Sequence, residues 1–382
     1  MTALLLSEIF PPHIGGSARW FWELYRRMPR ADVVIAAGAC AGDAEFDRSH
    51  DLRVTRLALS LIDGGAFDPA TWLAYGRAAR AVRRLCRRAD VRAVHCGRVL
   101  PEGWLALTCG RPFGCFVHGE ELISNRTSRQ LTWMTRRVFP RAALLIANSR
   151  HTAALLERGW GVSRERITVL APGVDTARFV PVPRDEQVRA ALGWGGRLVV
   201  LTVARLQKRK GHDHMIDAIA LLRARLPNLL YAIVGDGAER SALEERVRQA
   251  GVAEHVRFHG ALDDQQLVRA YQQCDVFALP NRTVDGDLEG FGMVLLEAQA
   301  CARPVLAGDS GGTAEALCDG ESGVIVDCTS PRTLAAAVGA LLEDCARRER
   351  MGAAGRRRMV EHFDFDRRAA LAVEVLARVR QR

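Results

Sequence analysis

Short, unbroken apolar runs, each closed by a turn and followed by a helical pattern, recur from one end of this chain to the other. TALLLS (2–7), DVVIAAG (32–38), VRAVHCG (91–97), PFGCFVHG (112–119) and RAALLIANS (141–149) form a first set. RLVVLTVA (197–204), LLYAIVG (229–235), VRFHG (256–260), DVFALP (275–280), PVLAG (304–308) and SGVIVD (322–327) form a second. Runs with no polar face predict strands buried on both sides, and strands alternating with helices predict parallel sheets with crossover helices. Helical patterns are read at 212–225, 239–250, 263–273, 293–301, 331–344 and 364–380, and Ser17 is the expected cap of the helix after the first strand. The proline-rich stretch APGVDTARFVPVPRDEQ (171–187) breaks the rhythm and is the expected linker. The fold class is therefore α/β, two doubly wound Rossmann-like domains, with ligands expected at the carboxyl ends of the strands and an active site in the cleft between domains.

A chain of 382 residues, 48% hydrophobic and 26% charged, is long enough for two such cores. No apolar run approaches the length of a membrane span, and the first residues lack the basic start of a signal peptide. The ten cysteines are scattered without a Cys-x-x-Cys pair, which fits buried free thiols in a reducing cytoplasm. The charge is lopsided. Residues 1–170 carry 25 arginines against 15 carboxylates, whereas the remainder carries 29 cations and 29 carboxylates. The first half is thus expected to meet an anionic partner: membrane, nucleic acid or acidic substrate.

Only two lysines occur, Lys208 and Lys210, both in the loop ARLQKRKGHD after the strand ending at Ala204. Lysine is a compact point charge suited to a narrow phosphate site, unlike the wider guanidinium fork. With Arg205 at the strand end and Gly211 before a helix start, the loop reads as an anion site rather than a solvated turn. It is not a Walker A loop. The second constellation is DGDLEGFGMVLLEA (285–298), in which Gly290 and Gly292 flank Phe291 and a helix begins near Met293. Backbone amides from Gly292 to Val294 can hold a sugar or phosphate oxygen there. Glu289 falls in the loop and Glu297 one to two turns into the helix, where a carboxylate can accept paired ribose hydroxyls. The alternative is a glycine-rich turn with a solvated Glu297, less natural beside apolar Leu295, Leu296 and Ala298.

These motifs together resemble the retaining glycosyltransferases of family 4, with the GT-B fold. Arg205 and Lys210-Gly211, then Glu289-Gly-Phe-Gly and Glu297-Ala298, match that signature in order, as do Gly15-Gly16, VHGEE (117–121), ANSRHT, APGVDTARF and GDSGGTAEAL. The resemblance implies an acceptor domain over 1–172, a nucleotide-sugar domain over 190–363, and a last helix, 364–382, returning to the first domain. It implies that Arg205 and Lys210 bind the donor diphosphate, Glu289 the sugar hydroxyls and Glu297 the ribose. Gly290, Phe291, Gly292, Met293 and Val294 would line the donor, and Gly16 would lie beside the diphosphate. His118 would orient the reacting sugar. The base would dock near Gly235-Asp236-Gly237 and Gly260. No cofactor or metal is expected, the Asp285-x-Asp287 pair lying in the wrong fold context for one.

TWLAYGRAARAVRRLCRRAD (71–90) carries Arg77, Arg80, Arg83, Arg84, Arg87 and Arg88 without an acid before Asp90. Trp72, Leu73, Val82 and Leu85 fall among them at loosely helical spacing. The stretch reads as a surface helix for anionic lipid headgroups or as an ordinary solvated helix; its place in the basic half favours the membrane. Within the family the chain is most similar to the phosphatidylinositol mannoside mannosyltransferases. That implies GDP-mannose as first donor, a UDP-sugar (hexosyl or N-acetylhexosaminyl transfer) as second, and a lipid-linked or saccharide acceptor at the cytoplasmic face of a membrane. A non-enzymatic nucleic-acid binder is the rival class, but it needs basic segments interleaved with aromatics for base stacking, and these are absent.

Overall fold

The computed structural model describes residues 2–60 and 69–380. The last two residues of the expected C-terminal helix lie outside that range. The chain divides into two units, Met1–Pro172 with Phe365–Arg382, and Gly173–Asp364.

The first unit is built on β1 (Ala3–Ser7), β2 (Val33–Gly38), β3 (Val54–Leu57), β4 (Ala93–Cys96), β5 (Phe113–Val117), β6 (Leu144–Ala147) and β7 (Ile167–Val169). They form a seven-stranded parallel sheet ordered β3-β2-β1-β4-β5-β6-β7. Central β1 pairs on both sides, Leu5 standing opposite Ile35 and His95. Every residue of β1, β2, β4, β5 and β6 is buried, as their unbroken apolar runs require. The helix after β1 runs from Gly16 to Tyr25 with Gly15 at its cap position and no side-chain cap. Ser17 is therefore not the cap. The helix begins two residues earlier than that cap implies, at Gly16, and the Ser17 hydroxyl turns instead to His118.

The long helix Pro69–Arg88 buries Tyr75, Ala78, Ala79, Val82 and Cys86 against the sheet. This i, i+3, i+4 stripe is the core face, so Trp72 and Leu73, which the sequence reading grouped with Val82, point outward instead. All six arginines of the helix are exposed. The closing helix Phe365–Ala377 packs on the same unit, Arg27 pairing with Asp366 and lying over the Phe365 ring. No helix among the described residues is long and apolar enough to cross a membrane.

The second unit holds β8 (Leu198–Val203), β9 (Leu229–Val234), β10 (Val256–Gly260), β11 (Val276–Leu279), β12 (Val305–Gly308) and β13 (Gly323–Val326). They form a six-stranded parallel sheet ordered β10-β9-β8-β11-β12-β13, the strand order reversing beside β8. The boundary between the units, after Pro172, falls inside the proline-rich stretch, and the rest of the stretch is packed on this unit. Val174 and Phe179 are buried, and Arg356 donates to the carbonyls of Thr176, Phe179 and Ala300. A segment poor in backbone donors is thus held through its acceptors. The helix Cys345–Arg358 has no counterpart in the sequence reading.

Candidate functional site

In the second unit the candidate groups gather where strands end and helices begin. After β8 the chain reaches Arg205, which is exposed, and then the 3₁₀ turn Lys208–Lys210. Gly211 closes that turn with φ of +75° and caps the helix His212–Leu222. A Cβ there would fall 1.8 Å from the carbonyl oxygen of Pro280, so the turn admits only glycine. The turn drives Arg209 inward and leaves Lys208 exposed. Lys210 pairs with Glu289 Oε2, and the same oxygen accepts from Arg209 Nη1 at 2.8 Å. Arg209 Nε lies 3.0 Å from Asp287. One carboxylate, 13% exposed, is therefore gripped by two cations.

The electrostatics follow from that grip. Burial is the largest influence on Glu289 and acts to raise its pKa, but Lys210 and Arg209 together overcome it and hold the carboxyl below its ordinary range. For Lys210 burial also dominates and lowers the ammonium pKa; Glu289 opposes this, while Arg209 and Arg205 add to it. The adjacent His212 is lowered to about 4 by burial and then by Lys210, so this buried ring stays neutral.

Glu289 is positioned from behind by the late glycine loop. Gly312 N–H donates to the Glu289 carbonyl at 2.9 Å, and a Cβ on Gly311 would fall 2.0 Å from that oxygen. Gly292, with φ of +85°, caps the helix Met293–Ala300. The first-turn amides, at Met293 and Val294, have no intrahelical acceptor by geometry, an arrangement that suits an anion. Glu297 lies deeper in the same helix. It is buried, and Tyr271 O–H donates to its Oε2 at 2.7 Å. The solvated alternative for Glu297 is thereby set aside. Phe291 is buried, its ring 6.2 Å from that of Phe363. Gly290 is half-buried between these groups. Gly260 ends β10 with φ of +67° and open space where a side chain would stand.

In the first unit, His118 follows β5 and is buried. Its Nε2 lies 2.9 Å from the Gly97 carbonyl, which can only accept, so Nε2 carries a proton. Nδ1 then faces the Ser17 hydroxyl at 3.3 Å, and the ring edges meet Trp20 and Phe21. Gly16, the first residue of the helix that brings Ser17 there, is exposed.

Three groups escaped the sequence reading. Arg209 was hidden between the two lysines, although three consecutive cations on one turn must place one of them differently from its neighbours. Tyr271, in the helix Asp264–Gln273, has no local signal of its partnership with Glu297. Glu102 is fully buried past the end of β4; its Oε1 accepts from Glu8 N–H at 2.7 Å, while its Oε2 has no partner among the described residues. Burial raises its pKa to about 7 despite the pull of Arg98.

Residues 14–178 match the family model described as Glycosyltransferase Family 4, and residues 184–358 that of Glycosyl transferases group 1. A GDP-mannose-dependent alpha-(1-6)-phosphatidylinositol monomannoside mannosyltransferase of Mycolicibacterium smegmatis is 34% identical over 98% of both chains. A protein of the same description from Mycobacterium tuberculosis is 30% identical over 98% of this chain and 97% of its own. Among solved structures, Anabaena HepE in complex with UDP superposes with a TM-score of 0.83 at 21% identity, covering 99% of this chain and 100% of that one. Sucrose-phosphate synthase from Thermosynechococcus elongatus gives 0.82 at 21% identity, with 99% of each chain covered. The two doubly wound units are those of the GT-B fold.

Proposed function

The chain belongs to glycosyltransferase family 4, and from that premise we propose that it transfers mannose from GDP-mannose, with retention, to a phosphatidylinositol-linked acceptor at the cytoplasmic face of a membrane. The observation that carries the donor and acceptor is the match to GDP-mannose-dependent mannosyltransferases along 98% of the chain.

In this reading Lys210 and Arg205 hold the donor diphosphate, with the Met293 and Val294 amides cradling an oxygen. The bond between the anomeric carbon and the diphosphate breaks while the acceptor hydroxyl closes on the same face. Its proton passes to the departing phosphate oxygen, and no protein base is consumed. The protein supplies orientation and positive charge where negative charge accumulates. Glu289 steers the sugar hydroxyls, and its pairing with Lys210 and Arg209 keeps it an acceptor. Glu297, fixed by Tyr271, takes the ribose hydroxyls. His118 presents a fixed tautomer to the reacting sugar. No metal is required.

The outward face of Pro69–Arg88 supports the membrane part. Six exposed arginines share it with Trp72 and Leu73, 47% and 57% exposed, and apolar groups among cations suit an anionic lipid surface. A thermal-shift panel of GDP, UDP, ADP and their sugars tests the donor, since a ligand that prefers the folded state raises the melting temperature. GDP is expected to raise it most, and added magnesium to leave turnover unchanged. A clear preference for UDP would remove mannose transfer from this reading.

A further inference from the structure

Two cations meet one oxygen of Glu289, although one would balance its charge. Lys210 and Arg209 Nη1 both bind Oε2, the latter at 2.8 Å. What else each can reach differs. The Arg209 guanidinium is 5% exposed, and its Nε lies 3.0 Å from Asp287 Oδ2, so one planar fork spans both carboxylates of the loop before Gly290. Its backbone is fastened as well. The Arg209 carbonyl accepts from Arg282 N–H at 2.9 Å, and the Arg282 guanidinium grips both oxygens of Asp213 at 2.8 and 2.7 Å. Lys210 has no ion pair among the described residues besides Glu289. Its ammonium carries three donors on a flexible stem and can turn to a second anion without releasing the loop. We propose that Arg209 is a positioning residue, which holds Glu289 ionised and in place by itself and so leaves the Lys210 charge for the donor diphosphate.

This rests on the reading in which Lys210 meets the diphosphate. A buried carboxylate whose only cation turns to another anion is left uncompensated, and it escapes that cost by taking up a proton. A protonated Glu289 would lose the charge that orients the sugar hydroxyls and would donate from one oxygen. The charged groups facing Glu289 are Lys210, Arg209 and, through Arg209, Asp287; Arg205 acts on Lys210, and the adjacent His212 ring is neutral. Of these only Arg209 can keep the carboxylate ionised once Lys210 is engaged. Its guanidinium does not deprotonate in a buried site, whereas burial lowers the Lys210 ammonium pKa. Asp287 is 53% exposed, so water screens much of its claim on Arg209.

Isothermal titration calorimetry of GDP binding to the full chain, at neutral pH in two buffers of different ionisation enthalpy, counts the protons exchanged and tests this. Arg209→Gln is expected to take up as much as about one proton more than the parent on binding GDP, and to bind it more tightly as the pH falls. Glu289→Gln added to that variant should abolish the excess, since the proton's site is gone. A merely structural Arg209 would lower the melting temperature and leave the proton count alone. The parent's proton count in Arg209→Gln, or an excess that survives Glu289→Gln, overturns the proposal. If Arg209→Gln does not fold, the parent and Glu289→Gln decide: equal proton counts support the proposal, and a larger uptake by the parent overturns it. Unchanged GDP affinity in Lys210→Ala removes the diphosphate reading itself, and this proposal with it.

Discussion

Each unit shields one carboxyl beyond the end of a central strand, and the two are treated in opposite ways. Glu102 in the first unit accepts from the Glu8 amide and has no ion-paired cation among the described residues, and burial carries its pKa to about 7. Glu289 in the second is subject to the same upward push, yet Lys210 and Arg209 keep it ionised. The contrast extends to the arginines. Arg209 is spent inside the second unit on Asp287 and Glu289, whereas the six on Pro69–Arg88 have no acidic partner among the described residues. Buried, paired charge fixes geometry for a small ligand; exposed, unpaired charge makes a diffuse field for a large surface. On the proposed function, the two units divide the handling of anions by size.

The largest effect is expected where that field is removed. Replacing Arg77, Arg80, Arg83 and Arg84 by Gln should forfeit roughly 1 kcal/mol each in binding to anionic vesicles, together about a thousandfold in partition. GDP binding in the second unit should be untouched. Sedimentation with vesicles reads the first and thermal shift the second; equal sedimentation of variant and parent returns the helix to an ordinary solvated one.

Next comes the paired side. Lys210→Ala should cut turnover about a hundredfold, near 3 kcal/mol, because the lost donor acts most as the leaving group gains charge. Arg209 still holds Glu289, so the melting temperature should move little. Lys210→Arg should restore little, the guanidinium being too wide for the slot. Steady-state kinetics with circular dichroism decide this, and near-parental turnover in a folded Lys210→Ala would break the comparison.

Glu102 sharpens the comparison from the other unit. Its folded pKa, about 7, lies above the ordinary 4.5, so between those values the folded state binds the extra proton. Its contribution to stability is fully present below pH 4.5 and is lost as the pH rises through 7, at most about 3 kcal/mol. Glu289 runs the other way, contributing above the ordinary carboxylate range and losing that contribution in acid. Urea unfolding across the pH range should show the slope for the parent and a flatter profile for Glu102→Gln. An unchanged profile would mean that Glu102 titrates like an ordinary surface acid. The smallest effect belongs to Lys208, which is exposed; Lys208→Arg should leave kinetics and melting unchanged.

The strands buried on both faces were legible in the sequence, because an uninterrupted apolar run is their whole requirement, and so were β10 and β13 at the edges of the second sheet, although both are half-exposed. The edges of the first sheet were not. β3 reads Val-Thr-Arg-Leu and is half-exposed, and β7 is three residues long; neither forms a recognisable run. The helix Cys345–Arg358 buries mainly small residues, Gly352, Ala354 and Gly355, with Met351, so no apolar stripe marks it among its arginines. At the site, the groups set by local chain geometry were readable: Gly211, Gly292 and the Glu289–Glu297 spacing. Partnerships made across long separations, Tyr271 with Glu297 and Glu102 with the Glu8 amide, leave no trace in spacing. Arg209 falls between these cases. Its neighbours marked the turn, but only a folded turn decides which of three adjacent cations goes in.

The first unit is closed by residues 365–380. Val379 is fully buried, and Gly114 on β5 must lack a side chain because a Cβ there would come within 2.8 Å of it. Ala369, Ala372, Val375 and Leu376 are buried with it. Residues 365–380 are therefore made only after all of Gly173–Asp364 has emerged. The second unit, made in one stretch, has its whole sheet available as soon as it is translated. The nascent seven-stranded sheet waits with the flank that residues 365–380 cover left open, and exposed apolar surface of that kind is prone to aggregation.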